Sequence, residues 1–216
     1  MRKKEYNIQT LGEEIANAVS HGLGALLSIA GTVILIVIAA INSNAVGVVS
    51  VSLYGAGLIL LYTFSSLYHS LTNKKAKKVF QIFDHCSIFL LILGSYIPVC
   101  LSMIGGKTGW TLFGVNAFCA ILGITFNSID VKRWHKVSVV LYVIMGWSII
   151  VSLRSLLAVV TIPEFIVELT GGILYTAGII FYKNKKTKFM HFIWHLFVLA
   201  GSILQYFFVL NYFLTR

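Results

Sequence analysis

Residues 163–213 read PEFIVELTGGILYTAGIIFY (163–182), KNKKTK (183–188) and FMHFIWHLFVLAGSILQYFFVLNYF (189–213). Two apolar runs of membrane-crossing length flank a short basic loop. A helix rising 1.5 Å per residue needs about 20 apolar residues to cross a bilayer core of about 30 Å. The second run carries His191 and His195. At four residues apart, both imidazoles share one helix face, one turn apart. Ionisable groups inside lipid are costly and mark functional sites, and this spacing is that of a metal-ligand pair.

The same pattern repeats outward along the chain. Apolar spans are predicted at 21–41, 46–70, 80–104, 109–129, 137–158, 163–182 and 189–213. Of the 216 residues, 58% are hydrophobic and 11% charged. A soluble domain carries about 25% charged residues. The expected fold is all-α, a polytopic seven-transmembrane-helix bundle in the cell membrane. Residues 1–20 would form a cytoplasmic segment and 21–213 the membrane domain. The polar N-terminus lacks the pattern of a cleaved signal peptide, so the first span is expected to stay in the protein.

A net charge of +10 suggests nucleic acid until the charges are placed. Arg2, Lys3 and Lys4 precede the first span. Lys74, Lys75, Lys77 and Lys78 follow the second. Lys132, Arg133 and Lys136 follow the fourth, and Lys183, Lys185, Lys186 and Lys188 follow the sixth. Fourteen of the 17 basic residues thus fall on one side. The positive-inside rule puts the N-terminus in the cytoplasm and the C-terminus outside. The expected partners are membrane lipids, with no nucleic acid and no soluble protein.

Finer features are also legible. Thr10 and Glu13 have the spacing of a capping box, and Ile8, Leu11, Ile15, Ala18 and Val19 follow at helical spacing, which predicts a short amphipathic helix leading into the first span. Pro98 should kink the third span, and Pro163 suits the first turn of the sixth. Gly22, Gly24, Gly55, Gly57, Gly171, Gly172 and Gly178 should permit close helix contacts. Cys86, Cys100 and Cys119 read as small hydrophobes. Glu164 and Glu168 read as solvated interfacial residues near Arg154.

The predicted topology sets His69, Asp84, His191 and His195 at one depth, with Ser65 one turn from His69 on the same face. They lie within roughly 10 Å of one another along the membrane normal. Three neutral imidazoles form a zinc set with a fourth position open to water. His69, His191 and His195 are therefore the predicted ligands. Asp84 is the predicted base or orienter of that water, and Ser65 a hydrogen-bonding neighbour. A haem is disfavoured, because i, i+4 histidines cannot reach opposite faces of one ring. His85 and His135 read as interfacial. Glu14, Asn17 and His21 share a helix face and are candidates for the cytoplasmic mouth of the site.

These residues carry a family resemblance. The pieces are Glu14-x-x-Asn17-x-x-Ser20-His21-Gly22, Ser65-x-x-x-His69, Asp84, and His191-x-x-x-His195, in this order on these spans. From Glu14 to the end of the last span, the chain resembles the haemolysin III family, the bacterial branch of the progestin and adipoQ receptor superfamily. The resemblance implies a seven-helix bundle with zinc near the cytoplasmic side. It implies that His69, His191 and His195 bind the metal and that Asp84 contacts the metal-bound water. Branches of that superfamily are linked to ceramide hydrolysis, whereas the bacterial branch is named for haemolytic, pore-forming activity and is similar to proteins of membrane lipid homeostasis. Three functions stay open: a zinc-dependent hydrolase of lipid amides or esters, a pore-forming haemolysin, and a structural or sensory protein with a clamping zinc.

Overall fold

The computed structural model describes residues 9–184 and 186–216, which are helical throughout their ordered elements, with no strand among them. Arg2, Lys3, Lys4, Ile8 and Lys185 lie outside the described residues. The helices are α1 Leu11–Asn42, α2 Ala45–Ser70, α3 Lys74–Ile97, α4 Gly106–Trp147, α5 Leu153–Leu157, α6 Ile162–Lys183 and α7 Met190–Thr215. Six of the helical stretches are long and apolar enough to cross a membrane, with Gly106–Leu157 counted as one.

That single stretch covers both the predicted spans 109–129 and 137–158. The basic segment between them was expected to be a loop, and it is helical instead. The reason is local. Asp130 leaves helical geometry (φ −161°, ψ 101°), and its Oδ1 accepts from the backbone N–H groups of Lys132 and Arg133 at 2.9 and 3.0 Å. An aspartate in extended geometry bonding two N–H groups ahead of it starts a new helix. The two limbs of α4 then fold back on each other. The Ser138 hydroxyl donates to Asn127 Oδ1 at 2.7 Å, and Asn116 Nδ2 donates to Ser148 Oγ at 2.8 Å. Ala120 and Met145 pack in one buried cluster between these pairs. Pairing positions move in opposite directions along the two limbs, so the limbs are antiparallel.

Other elements follow their sequence signals. Thr10 and Glu13 form the capping box, and α1 runs from it as one continuous helix. Thr161 and Glu164 form a second box at the start of α6, with Pro163 in the first turn. The Pro98 kink takes the form of a π-helical segment, Pro98–Ile104, that carries α3 onward. Proline cannot donate to the preceding turn, and a wider turn absorbs the loss.

In the packing, α2 lies between α1 and α3, α7 lies between α1 and α6, and α4 packs on α3. The main core joins Leu35 of α1, Tyr54, Leu58 and Tyr62 of α2, Leu91 of α3 and Val198 and Phe208 of α7. Apolar side chains such as Leu26, Ile121 and Ile180 face outward, as a lipid-facing surface requires. Gly57 admits close approach: a Cβ there would stand 2.9 Å from the Leu90 carbonyl oxygen. Gly172 does something else. A Cβ there meets nothing within 4 Å, because the residue borders a cavity of about 280 Å³. α4 and α6 scarcely touch, and the cavity lies along this loose seam, walled by α3, α4, α6 and α7.

Candidate metal centre

Three helix ends converge on the histidines. His69 sits in the last turn of α2, and His191 and His195 in the first two turns of α7. The start of α7 is fixed by Phe189, which adopts left-handed geometry (φ 61°). Its N–H donates to Glu13 Oε1 at 2.8 Å. The N-terminal turn of α1 therefore anchors the helix that carries two of the histidines.

One nitrogen from each of His69, His191 and His195 lies within 4.8 Å of the other two. Ring centroids are 5.1 Å apart for His69–His191 and His69–His195, and 4.7 Å for His191–His195. His69 and His195 are buried, His195 completely.

The surrounding hydrogen bonds assign the tautomers. His69 Nδ1 lies 2.7 Å from Glu14 Oε2. Glu14 also accepts from Lys77 Nζ at 2.7 Å, as expected of an ionised carboxylate, so Nδ1 is the donor. The Ser20 hydroxyl gives its hydrogen to the Asn17 carbonyl at 3.0 Å. Its oxygen then accepts from His195 Nδ1 at 3.4 Å. With Nδ1 protonated in both rings, the lone pairs sit on Nε2. Both Nε2 atoms are buried and have no hydrogen-bond partner among the described residues. A buried acceptor left unsatisfied is costly. A metal ion offers these lone pairs their missing partner, and a metal-bound histidine typically donates its other nitrogen to a carboxylate or an oxygen in this way. The donor set of three imidazoles suits zinc, with a position left over.

The other predicted residues are placed as follows. Ser65 is buried one turn before His69, and its Oγ has no hydrogen-bond partner among the described residues. Asp84 is 5% exposed and lines the cavity. Its Oδ2 is 3.5 Å from His85 Nδ1. Tyr182 lines the same cavity as Asp84, and its ring centroid is 5.9 Å from that of His191. Glu14 and Asn17 lie against His69, with Asn17 Nδ2 3.5 Å from His69 Nδ1. His21 is deeper than the mouth position expected of it. It stacks flat on His195 (3.6 Å between centroids, 7° between planes) and lines the cavity.

The two glutamates of α6 differ from expectation. Glu164 is buried, caps its own helix and accepts from Arg216 at 3.2 Å and Asn211 at 3.0 Å. Arg216, rather than Arg154, is its cation. Glu168 lines the cavity, and its Oε1 accepts from Gln205 Nε2 at 3.2 Å. Neither is a solvated interfacial residue, because the antiparallel α7 covers this face of α6. Lys77 and Tyr182 went unread as site residues. A lysine in a basic loop and a tyrosine at a helix end carry no signal until the helices are packed.

Comparison with known proteins gives the family. The family model described as haemolysin-III related matches residues 9–206. "Hemolysin-3" of Bacillus cereus is 47% identical over 204 residues, covering 94% of this chain and 93% of the relative. The "Hemolysin-3 homolog" of Bacillus subtilis (strain 168) is 44% identical over 203 residues, covering 94% and 95%. The human "Monocyte to macrophage differentiation factor" is 24% identical over 213 residues, covering 94% and 85%. With a matching model over nearly its whole length, six apolar spans and two close relatives, this chain is a multi-pass cell-membrane protein belonging to the haemolysin III-related family.

Proposed function

We propose that the protein is an intramembrane zinc-dependent hydrolase acting on an amide or ester bond of a membrane lipid. The observation that carries this reading is the triangle of His69, His191 and His195, with two unpartnered Nε2 atoms, set among residues that border an apolar cavity. Zinc bound there would supply a Lewis acid for the carbonyl and would lower the pKa of a bound water to about 7. His69, His191 and His195 would hold it, with Glu14 and Ser20 fixing two of the rings. Asp84 accepts the proton lost by the attacking water and returns it to the leaving group. Ser65, with its free hydroxyl valence, hydrogen-bonds the water or the substrate oxygen. The cavity, open at the loose α4–α6 seam, takes the acyl chain from the side. Counting the two antiparallel limbs of α4 as separate crossings gives seven, with the N-terminus cytoplasmic and the metal centre near that face.

The test is hydrolysis of lipid amides and esters by purified protein, guided by lipidomics of cells with and without it. Wild type should release a fatty acid. Asp84→Ala should retain metal and lose at least about 100-fold in rate. Equal turnover by Asp84→Ala would remove the mechanism. The names of the two Bacillus relatives favour a second reading, a pore that lyses membranes. Dye release from liposomes separates the two: leakage that persists in His191→Ala supports the pore.

A further inference from the structure

The cavity has a second polar end. Gln205 of α7 lies ten residues beyond His195, about 15 Å further along the helix. Here Gln205 Nε2 donates to Glu168 Oε1 at 3.2 Å, and the Tyr175 hydroxyl donates to Gln205 Oε1 at 3.3 Å. Tyr175 and Tyr62 both bond Ser202 Oγ at 2.7 Å. Glu168 Oε2 is buried with no hydrogen-bond partner among the described residues.

We infer that this end of the cavity binds the alkyl ammonium group of an amphiphile whose chain fills the apolar remainder. Two acceptor valences are open here: Glu168 Oε2 and the second lone pair of Gln205 Oε1. A primary ammonium brings three donors and no acceptor. It also supplies the counter-charge that lets Glu168 ionise, since among the described residues no lysine or arginine lines the cavity. An alcohol satisfies one acceptor and leaves the carboxylate uncompensated. A fatty acid adds a second carboxylate and is repelled. The rings of Tyr96, Trp147 and Tyr175 also line the cavity, and aromatic faces favour cations. Access is available at the α4–α6 seam, where Gly146 and Gly172 both border the cavity with open space beside them. The inference is independent of metal or hydrolysis.

The experiment is binding of dodecylamine, dodecanol and dodecanoate to the purified protein in micelles, read by calorimetry and thermal shift. Dodecylamine should bind one per chain and raise the melting temperature, and the other two should not. Loss of a buried, hydrogen-bonded charge partner weakens binding by roughly 30-fold or more, so Glu168→Gln should show that loss with metal content unchanged. Gly172→Leu, which enters open space and should fold, supplies a second test by filling the cavity, and it too should lose amine binding. Nanodiscs with and without phosphatidylethanolamine distinguish the source of the amine. Competition by that lipid assigns a membrane headgroup, and no competition assigns a single-chain amine. Equal binding of dodecanol, or full amine affinity in either variant, overturns the proposal.

Discussion

Glu14 shows how one side chain acts on a centre it does not join. It holds His69 Nδ1 at 2.7 Å and is itself held by Lys77. Removing such an outer partner typically costs 10- to 100-fold in metal affinity. Glu14→Ala should therefore bind zinc about 10- to 100-fold more weakly in a chelator competition, and Ser20→Ala, with its longer contact, should lose less. Unchanged affinity in Glu14→Ala would show that His69 needs no orienter. The candidate pair His191 and His195 was legible in sequence because i, i+4 spacing of two histidines on an apolar helix stands out. Glu168 was not, because helical periodicity reports which residues share a face and not what covers that face. Only the packing of α7 on α6 shows that this carboxylate is inside.

At the scale of elements, capping residues decide where the helices begin. Thr10 announced itself through the glutamate three residues on, whereas the Thr161–Glu164 box is a finding of the structure. Asp130 did not announce itself, because its basic surroundings resemble a loop. Its two hydrogen bonds start the second limb of α4, so Asp130→Ala should destabilise the protein by about 1 kcal/mol, read as a lower melting temperature with metal content retained. No change in melting temperature would mean that the break is set by limb packing alone. The glycines separate in the same way. Gly57→Leu drives a side chain into the Leu90 carbonyl and should cost at least about 1–3 kcal/mol, whereas Gly172→Leu enters the cavity and should be tolerated. Sequence marks both as small residues inside spans and cannot distinguish a contact from a void.

Across the whole molecule, hydropathy and charge placement foretold the membrane class and the all-helical architecture. They did not foretell the order of helices around the core, the loose α4–α6 seam or the cavity, which depend on long-range contacts. Topology has its own test. Single cysteines placed at Lys75, Lys136 and Lys188 in a background lacking Cys86, Cys100 and Cys119 should label only from the cytoplasmic side, and one at Lys107 only from outside. Labelling of all four positions from one side would contradict the seven-crossing arrangement.

His69 stands on α2 and His191 and His195 on α7, so a metal held by all three should stabilise the bundle. The most direct test is the zinc content of purified protein by elemental mass spectrometry, for wild type, His69→Ala and His195→Ala, with melting temperatures before and after chelation. The prediction is one zinc per wild-type chain, near zero in both variants, and a chelator-induced drop in melting temperature for wild type alone. Wild-type protein without stoichiometric metal, or a metal content that survives His195→Ala, would contradict the assignment of His69, His191 and His195 as a metal centre.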